Sequence, residues 1–186
     1  MPQRAVFLDR DGVVNRALVR HGRPYAPASL EQVEWLPGVA EAMTALRSLG
    51  FRIIVITNQP DVGKGLQRRE AVEAIHAELR HRFPVDDIKV CYHVEEDGCG
   101  CRKPKPGMVL EAARAWDLDL SRSVVVGDRW RDIEAGRAAG CKTILIAAAY
   151  DERKADHPDA VVQSLTEASI LIGSGWLDHE TLTTEV

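Results

Sequence analysis

Asp9 and Asp11 stand one residue apart, directly after an apolar run from Ala5 to Leu8 and directly before Gly12. Such a run reads as a buried strand. Side chains on an extended chain alternate faces, so residues two apart point the same way, and a glycine lets the backbone turn at once. Two carboxylates aimed together at the end of a buried strand repel, and they require a cation or a shared proton. Mg²⁺ takes oxygen ligands and pairs with phosphate-bearing substrates, so metal-assisted phosphate chemistry is the simplest use of the pair. Asp-x-Asp-Gly alone would also serve as a strand end that caps a turn. Thr57-Asn58-Gln59, Arg102-Lys103-Pro104 and Gly127-Asp128 tip the balance towards chemistry, because each follows an apolar run of its own.

A second cluster is formed by Cys91, His93, Cys99 and Cys101. Three thiols and an imidazole match a closed, tetrahedral Cys₃His zinc site. A disulfide would leave an odd thiol and would suit an oxidising compartment; unliganded thiols are the other alternative. Zinc is favoured because two Cys/His pairs each skip one residue and bracket a short loop. The ion would fix the chain just ahead of Arg102-Lys103. Cys141 stands alone in Ala-Ala-Gly-Cys-Lys and reads as a buried small hydrophobe. His76 and His81 read as surface residues, since neither has a partner at metal spacing.

The elements that must position these groups follow from periodicity. Apolar spacing predicts helices over Val39–Leu49 and about 67–82, 106–116 and 130–139, with another from about Leu165. Strands are predicted at Ala5–Leu8, Phe51–Ile56, Ile88–His93, Val124–Val126, Thr143–Ile146 and Ala160–Val162. Residues 16–37 contain no clear core element, because Gly and Pro are too frequent for a helix. So long a connection directly after the paired acids is a flap over the site or an exposed link. Alternating strands and helices predict an α/β fold, a three-layer doubly wound parallel sheet. In such sheets ligands bind beyond the carboxyl ends of the strands, where all the polar segments above fall.

Composition bounds the rest. The chain has 186 residues, 45% hydrophobic and 28% charged, as expected of one soluble globular domain over 1–173 with a flexible tail over 174–186. A net charge of −4 argues against a general nucleic-acid binder. No apolar stretch approaches the ~20 residues of a membrane helix, and no signal peptide is read at the start, so a cytoplasmic monomer with no membrane partner is expected.

Taken together, Asp9-Arg10-Asp11-Gly12, Thr57-Asn58, Lys103-Pro104 and Gly127-Asp128 with Asp132 resemble the haloacid dehalogenase (HAD) superfamily of phosphotransferases. The resemblance runs from Val6 to about Ile146. It implies that Asp9 is a nucleophile forming an aspartyl phosphate and that Asp11 is the general acid and base. It further implies that Thr57 and Lys103 engage the phosphoryl oxygens. Asp9, Asp128 and the backbone carbonyl of Asp11 would hold Mg²⁺, with Asp132 supporting them from one helical turn away. The zinc-type loop joined to Cys101-Arg102-Lys103-Pro104 resembles the branch that holds D-glycero-D-manno-heptose 1,7-bisphosphate 7-phosphatases and histidinol-phosphate phosphatases. Asn15, Asn58 and Arg102 would then contact a small phosphorylated substrate. The branch implies hydrolysis of the 7-phosphate of the heptose bisphosphate, with histidinol phosphate as the alternative substrate. The short interval from Asp11 to Thr57 leaves no room for a large cap domain. A zinc-stabilised binding module without turnover is the competing class; it would want a basic surface or a lost Asp9 or Asp11, and neither is found.

Overall fold

The computed structural model describes residues 2–178. Six parallel strands form the central sheet: β1 (Arg4–Leu8), β4 (Phe51–Asn58), β5 (Asp87–Cys91), β6 (Val124–Gly127), β7 (Lys142–Ile146) and β8 (Ala160–Val162). Their spatial order is β5-β4-β1-β6-β7-β8. The remaining two, β2 (Leu18–Arg20) and β3 (Arg23–Tyr25), make a separate antiparallel hairpin. The helices are α1 (Val39–Ser48), the single turn α2 (Pro60–Gly63), α3 (Arg69–Arg82), α4 (Gly107–Trp116), α5 (Trp130–Ala139) and α6 (Leu165–Gly173). No described helix is long and apolar enough to cross a membrane.

The continuous apolar strands of the sequence are explained by burial on both faces. Val6, Leu8, Ile53, Val55, Val124 and Val126 pack on one side, where α1 and α6 lie against each other. Ala5, Phe7, Ile54, Ile56 and Val125 pack on the other, beneath Met108, Val109 and Ala112 of α4. Gly136 of α5 lies so close to that face that a Cβ would stand 2.9 Å from Val125. The three-layer expectation holds, and no cap domain interrupts it among the described residues.

Register brings the site together. Leu8 pairs with Val55 on one side and Val126 on the other, so β1 and β6 end at nearly the same level while β4 runs on to Asn58. Asp9, Thr57 and Asp128 therefore emerge side by side. Residues 16–37, expected to hold no clear core element, contribute no strand to the central sheet, but they are more ordered than a plain connection: they hold the β2–β3 hairpin and a 3₁₀ turn at Leu30–Gln32. His21 and Gly22 both have positive φ at the hairpin's two-residue turn, which matches the strand twist and needs no longer loop. Trp176 and Leu177, within the span expected to be a tail, pack on the core; residues 179–186 of that expectation lie outside the described residues.

Candidate active site

Asp9 leaves the end of β1 with its backbone N–H donating to Val126 O (3.0 Å). Asp128 follows β6, and Asp132 lies in the first turn of α5. Carboxylate oxygens of these three residues all lie within 4.8 Å of one another. Lys103 reaches into the group from the loop before α4. Its Nζ lies 2.9 Å from Asp9 Oδ1 and 2.5 Å from Asp132 Oδ1, and it donates to Ile56 O (2.9 Å). Asn58 holds the Lys103 backbone from both sides, donating to its carbonyl (3.0 Å) and accepting from its N–H (3.1 Å). Gly12, at φ +96°, makes the close approach possible: a Cβ there would stand 1.8 Å from Asp128 Oδ2.

Three buried carboxylates share one buried ammonium, and the titration reflects it. Burial, reinforced by Asp132, pushes the Asp9 carboxyl up to about 7, against the pull of Lys103. Asp128 is raised well above the ordinary range by burial and by Asp9. Burial works against the Lys103 charge, but Asp132 and Asp9 outweigh it and hold the ammonium above its usual value. Tyr150 donates to Asp128 Oδ2 (2.5 Å), whereas Asp128 Oδ1 is buried without a hydrogen-bond partner. A hard divalent cation supplies what is missing, namely positive charge among oxygen donors and a partner for that oxygen. The residues present fit Mg²⁺.

Asp11 is held quite differently. Its Oδ1 accepts from Arg10 Nε (3.2 Å) and Asn15 Nδ2 (3.0 Å), and its Oδ2 from Arg10 Nη2 (3.0 Å) and Gln59 Nε2 (2.9 Å). Gln59 also donates to the fully buried Thr57 hydroxyl (2.8 Å). Asn15, expected against substrate, is wholly buried and spends its amide on Asp11 and on Arg16 O.

The Cys/His residues come together as the spacing predicts. Cys91 ends β5. Its Sγ lies 3.2 Å from Cys101 Sγ and 3.7 Å from Cys99 Sγ, and Cys99 and Cys101 are 3.5 Å apart. His93 Nδ1 stands 3.6 Å from Cys91 Sγ and 3.3 Å from Cys101 Sγ. A tetrahedron with Zn–S arms of about 2.3 Å has edges of about 3.8 Å, so the donors already stand near coordination distance. Burial raises the Cys91 and Cys101 thiols. A coordinated Zn²⁺ would reverse that. No disulfide is formed among the four cysteines.

A cavity of about 370 Å³ opens over Asp9, Asp11 and Lys103. Arg23 and Tyr25 of the hairpin form part of its wall, so the segment after the paired acids does overhang the site. Lys64, Arg102, Arg129 and Arg131 add positive charge around it. Lys64 is paired with Asp61, Arg129 with Glu152 and Arg131 with Glu95, whereas Arg23 and Arg102 have no acidic partner among the described residues.

Comparison with known proteins agrees with this geometry. A HAD-hydrolase-like family model matches residues 100–168. The chain is 38% identical over 182 residues to D-glycero-alpha-D-manno-heptose-1,7-bisphosphate 7-phosphatase of Mycobacterium tuberculosis, covering 92% of each. The chain belongs to the HAD-like phosphatase family. A second relative in it, D-glycero-beta-D-manno-heptose-1,7-bisphosphate 7-phosphatase of Rhodopseudomonas palustris, is 37% identical over 148 residues, 73% of this chain and 79% of the relative. Among solved structures, the B. bronchiseptica D,D-heptose 1,7-bisphosphate phosphatase, complexed with magnesium and phosphate, superposes with a TM-score of 0.76 at 30% identity, over 92% of this chain and 98% of that one.

Sequence reasoning missed several residues of this HAD-like phosphatase site. Gln59 stands in the Thr57-Asn58-Gln59 segment, but its bridge between Thr57 and Asp11 was not foreseen, and Tyr150, which restrains Asp128, carries no motif. His76 is the clear correction: expected on the surface, it is fully buried and lies 3.0 Å from Arg10 Nη1 through Nε2. Val72, Ile75, His76 and Leu79 make the buried stripe of α3, so its helical spacing carried the signal. His81, by contrast, is exposed as expected.

Proposed function

We propose that this chain is a Mg²⁺-dependent phosphomonoesterase that removes the 7-phosphate of D-glycero-D-manno-heptose 1,7-bisphosphate through an aspartyl phosphate on Asp9. The observation that carries the reading is the distribution of charge in the cavity. One phosphate is accommodated beside Asp9 and Lys103; Arg23 and Arg102, without acidic partners, offer a seat for a second. Histidinol phosphate carries an amine and an imidazole instead of a second phosphate, and the same cations would repel its ammonium.

Asp9 Oδ2 attacks phosphorus, while Oδ1 is held by Lys103. The bond to the sugar oxygen breaks as the bond to Asp9 forms. Asp11 hands a proton to the departing sugar oxygen, then takes one from the water that hydrolyses the phosphoenzyme. Lys103, fixed by Asn58 and Asp132, neutralises charge on the equatorial oxygens; Thr57 and the neighbouring backbone bind the same oxygens. Asp9, Asp128 Oδ1 and the Asp11 backbone carbonyl would hold Mg²⁺, which lets a carboxylate approach a phosphate dianion. Asp132 orients Lys103. Arg102 meets the sugar end of the substrate, and Asn15 serves by holding Asp11. Cys91, His93, Cys99 and Cys101 would hold Zn²⁺, which would fix the loop that leads into Arg102 and Lys103. All these groups come from one chain, which supports a monomer as the working unit, and four free cysteines suit a reducing compartment such as the cytoplasm.

The test is Mg²⁺-dependent phosphate release from the alpha and beta anomers of the heptose bisphosphate, fructose 1,6-bisphosphate and L-histidinol phosphate. One heptose anomer should lead the others by about tenfold or more in kcat/KM. Preference for L-histidinol phosphate would overturn the substrate assignment.

A further inference from the structure

Arg10 has no counterpart in the chemistry above, yet its side chain is fully buried. A buried guanidinium must place its donors on fixed acceptors. Nε and Nη2 form a fork on the Asp11 carboxylate, at 3.0–3.2 Å. The fork leaves Nη1, whose described partner is Nε2 of His76, 66 residues away on α3. His76 is equally buried, and its Nδ1 faces the Glu73 carboxylate at 3.6 Å. With Arg10 a permanent donor, Nε2 must be the accepting nitrogen, so the ring carries its proton on Nδ1, towards Glu73.

We infer that His76 is a positioning residue for the phosphatase reaction: it locks the Arg10 fork, and through it sets where the Asp11 carboxylate stands over the leaving oxygen. This rests on the phosphatase reading and on Asp11 as its acid and base. Without the acceptor on α3, the guanidinium turns to satisfy Nη1 elsewhere and its two-point grip on Asp11 is lost. Gln59 and Asn15 then hold Asp11 by one hydrogen bond each. Neither bond fixes the plane of the carboxylate as the fork does.

The consequence is selective. A sugar alkoxide leaves poorly and needs Asp11's proton, whereas p-nitrophenolate leaves without one. kcat/KM covers the steps up to formation of the phosphoenzyme, so it isolates that proton transfer. His76→Leu removes the acceptor at similar volume, and His76→Gln restores an acceptor at the position of Nε2. The expected result for His76→Leu is a fall of about 10- to 100-fold in kcat/KM for heptose 1,7-bisphosphate, with at most a few-fold change for p-nitrophenyl phosphate. His76→Gln recovers most of the loss. Equal losses on both esters, or failure of the Gln variant to exceed the Leu variant while circular dichroism shows both folded, would overturn the role of His76. A wild-type enzyme inert towards both esters would instead overturn the phosphatase reading itself.

Discussion

Two constellations sit at the same end of the sheet and are built in opposite ways. The Cys91/His93/Cys99/Cys101 cluster comes from one short stretch of chain, and its donors face one another around a closed centre. The Asp9/Asp128/Asp132/Lys103 centre is gathered from three separate regions. It holds more negative than positive charge, and it opens on a cavity. A closed local site suits a structural ion; an open, charge-imbalanced one suits catalysis. The difference teaches that the first centre should fail by unfolding and the second by losing turnover.

Asp9→Asn should give the largest effect and the sharpest separation. Activity should fall by on the order of 10⁴-fold or more, as loss of a covalent nucleophile does. Thermal stability should hold or rise, since one of three buried carboxylates around Lys103 is gone. Phosphate release and a melting curve on the same preparation check both halves. A variant with wild-type turnover would remove Asp9 from its role.

Cys101→Ser should do the reverse. Structural zinc sites contribute roughly 10–16 kcal/mol in small peptides, so losing one ligand here should lower stability on the order of 5 kcal/mol. Activity falls as a consequence, because Arg102 and Lys103 follow directly in the chain. Metal analysis should find zinc in the wild type and little in the variant. An unchanged melting temperature after chelation would dissolve the contrast between the two centres.

The same contrast explains what could be read from the sequence. Thiols and an imidazole at alternate positions declare a metal site by spacing alone, and Asp9-Arg10-Asp11-Gly12 declares a strand end with paired acids. Convergence of Asp9 with Asp128 followed from recognising parallel strands, since all of them end on one edge. The links between these groups were not legible. Arg10 looks like any charged residue beside an aspartate, and only the folded chain brings it inside to His76, 66 residues away. Asn15 was read as a substrate contact, but the turn at Gly12 bends the chain so that Asn15 meets Asp11 instead. The hairpin after it was obscured by Gly22 and Pro24, which fit a turn and an edge strand as well as a loop.

Lys103→Met probes whether the open centre is only catalytic. Turnover should fall about 10²–10³-fold, the usual cost of removing a preorganised charge stabiliser. Stability should fall as well, by about 3–5 kcal/mol in metal-free protein, because Asp9 and Asp132 lose their buried cation. Mg²⁺ should recover part of that stability, and urea unfolding with and without the ion reads it directly. No stability loss in the metal-free variant would mean that the acids neutralise themselves by protonation instead.

The smallest effect concerns His76, which touches Arg10 and shares a cavity with Cys101. Burial and then Arg10 push its imidazole down to about 4, with Glu73 opposing and Arg80 adding to the depression. Arg69, Lys89 and Glu111 line the same cavity. The folded protein therefore keeps the ring neutral, whereas the unfolded chain binds a proton below its ordinary value near 6.5. Between those values the unfolded state holds more protons, so stability rises with pH there and is lost as pH falls from about 6.5 towards 4. The gap corresponds to at most about 3 kcal/mol. Because carboxylates titrate in the same window, the measurement is the difference between wild type and His76→Gln in urea unfolding at pH 7 and pH 4.5. Wild type should lose more than the variant on acidification. Parallel losses would mean that His76 titrates freely, and the α3 stripe would then no longer connect buried packing to the carboxylate over the substrate.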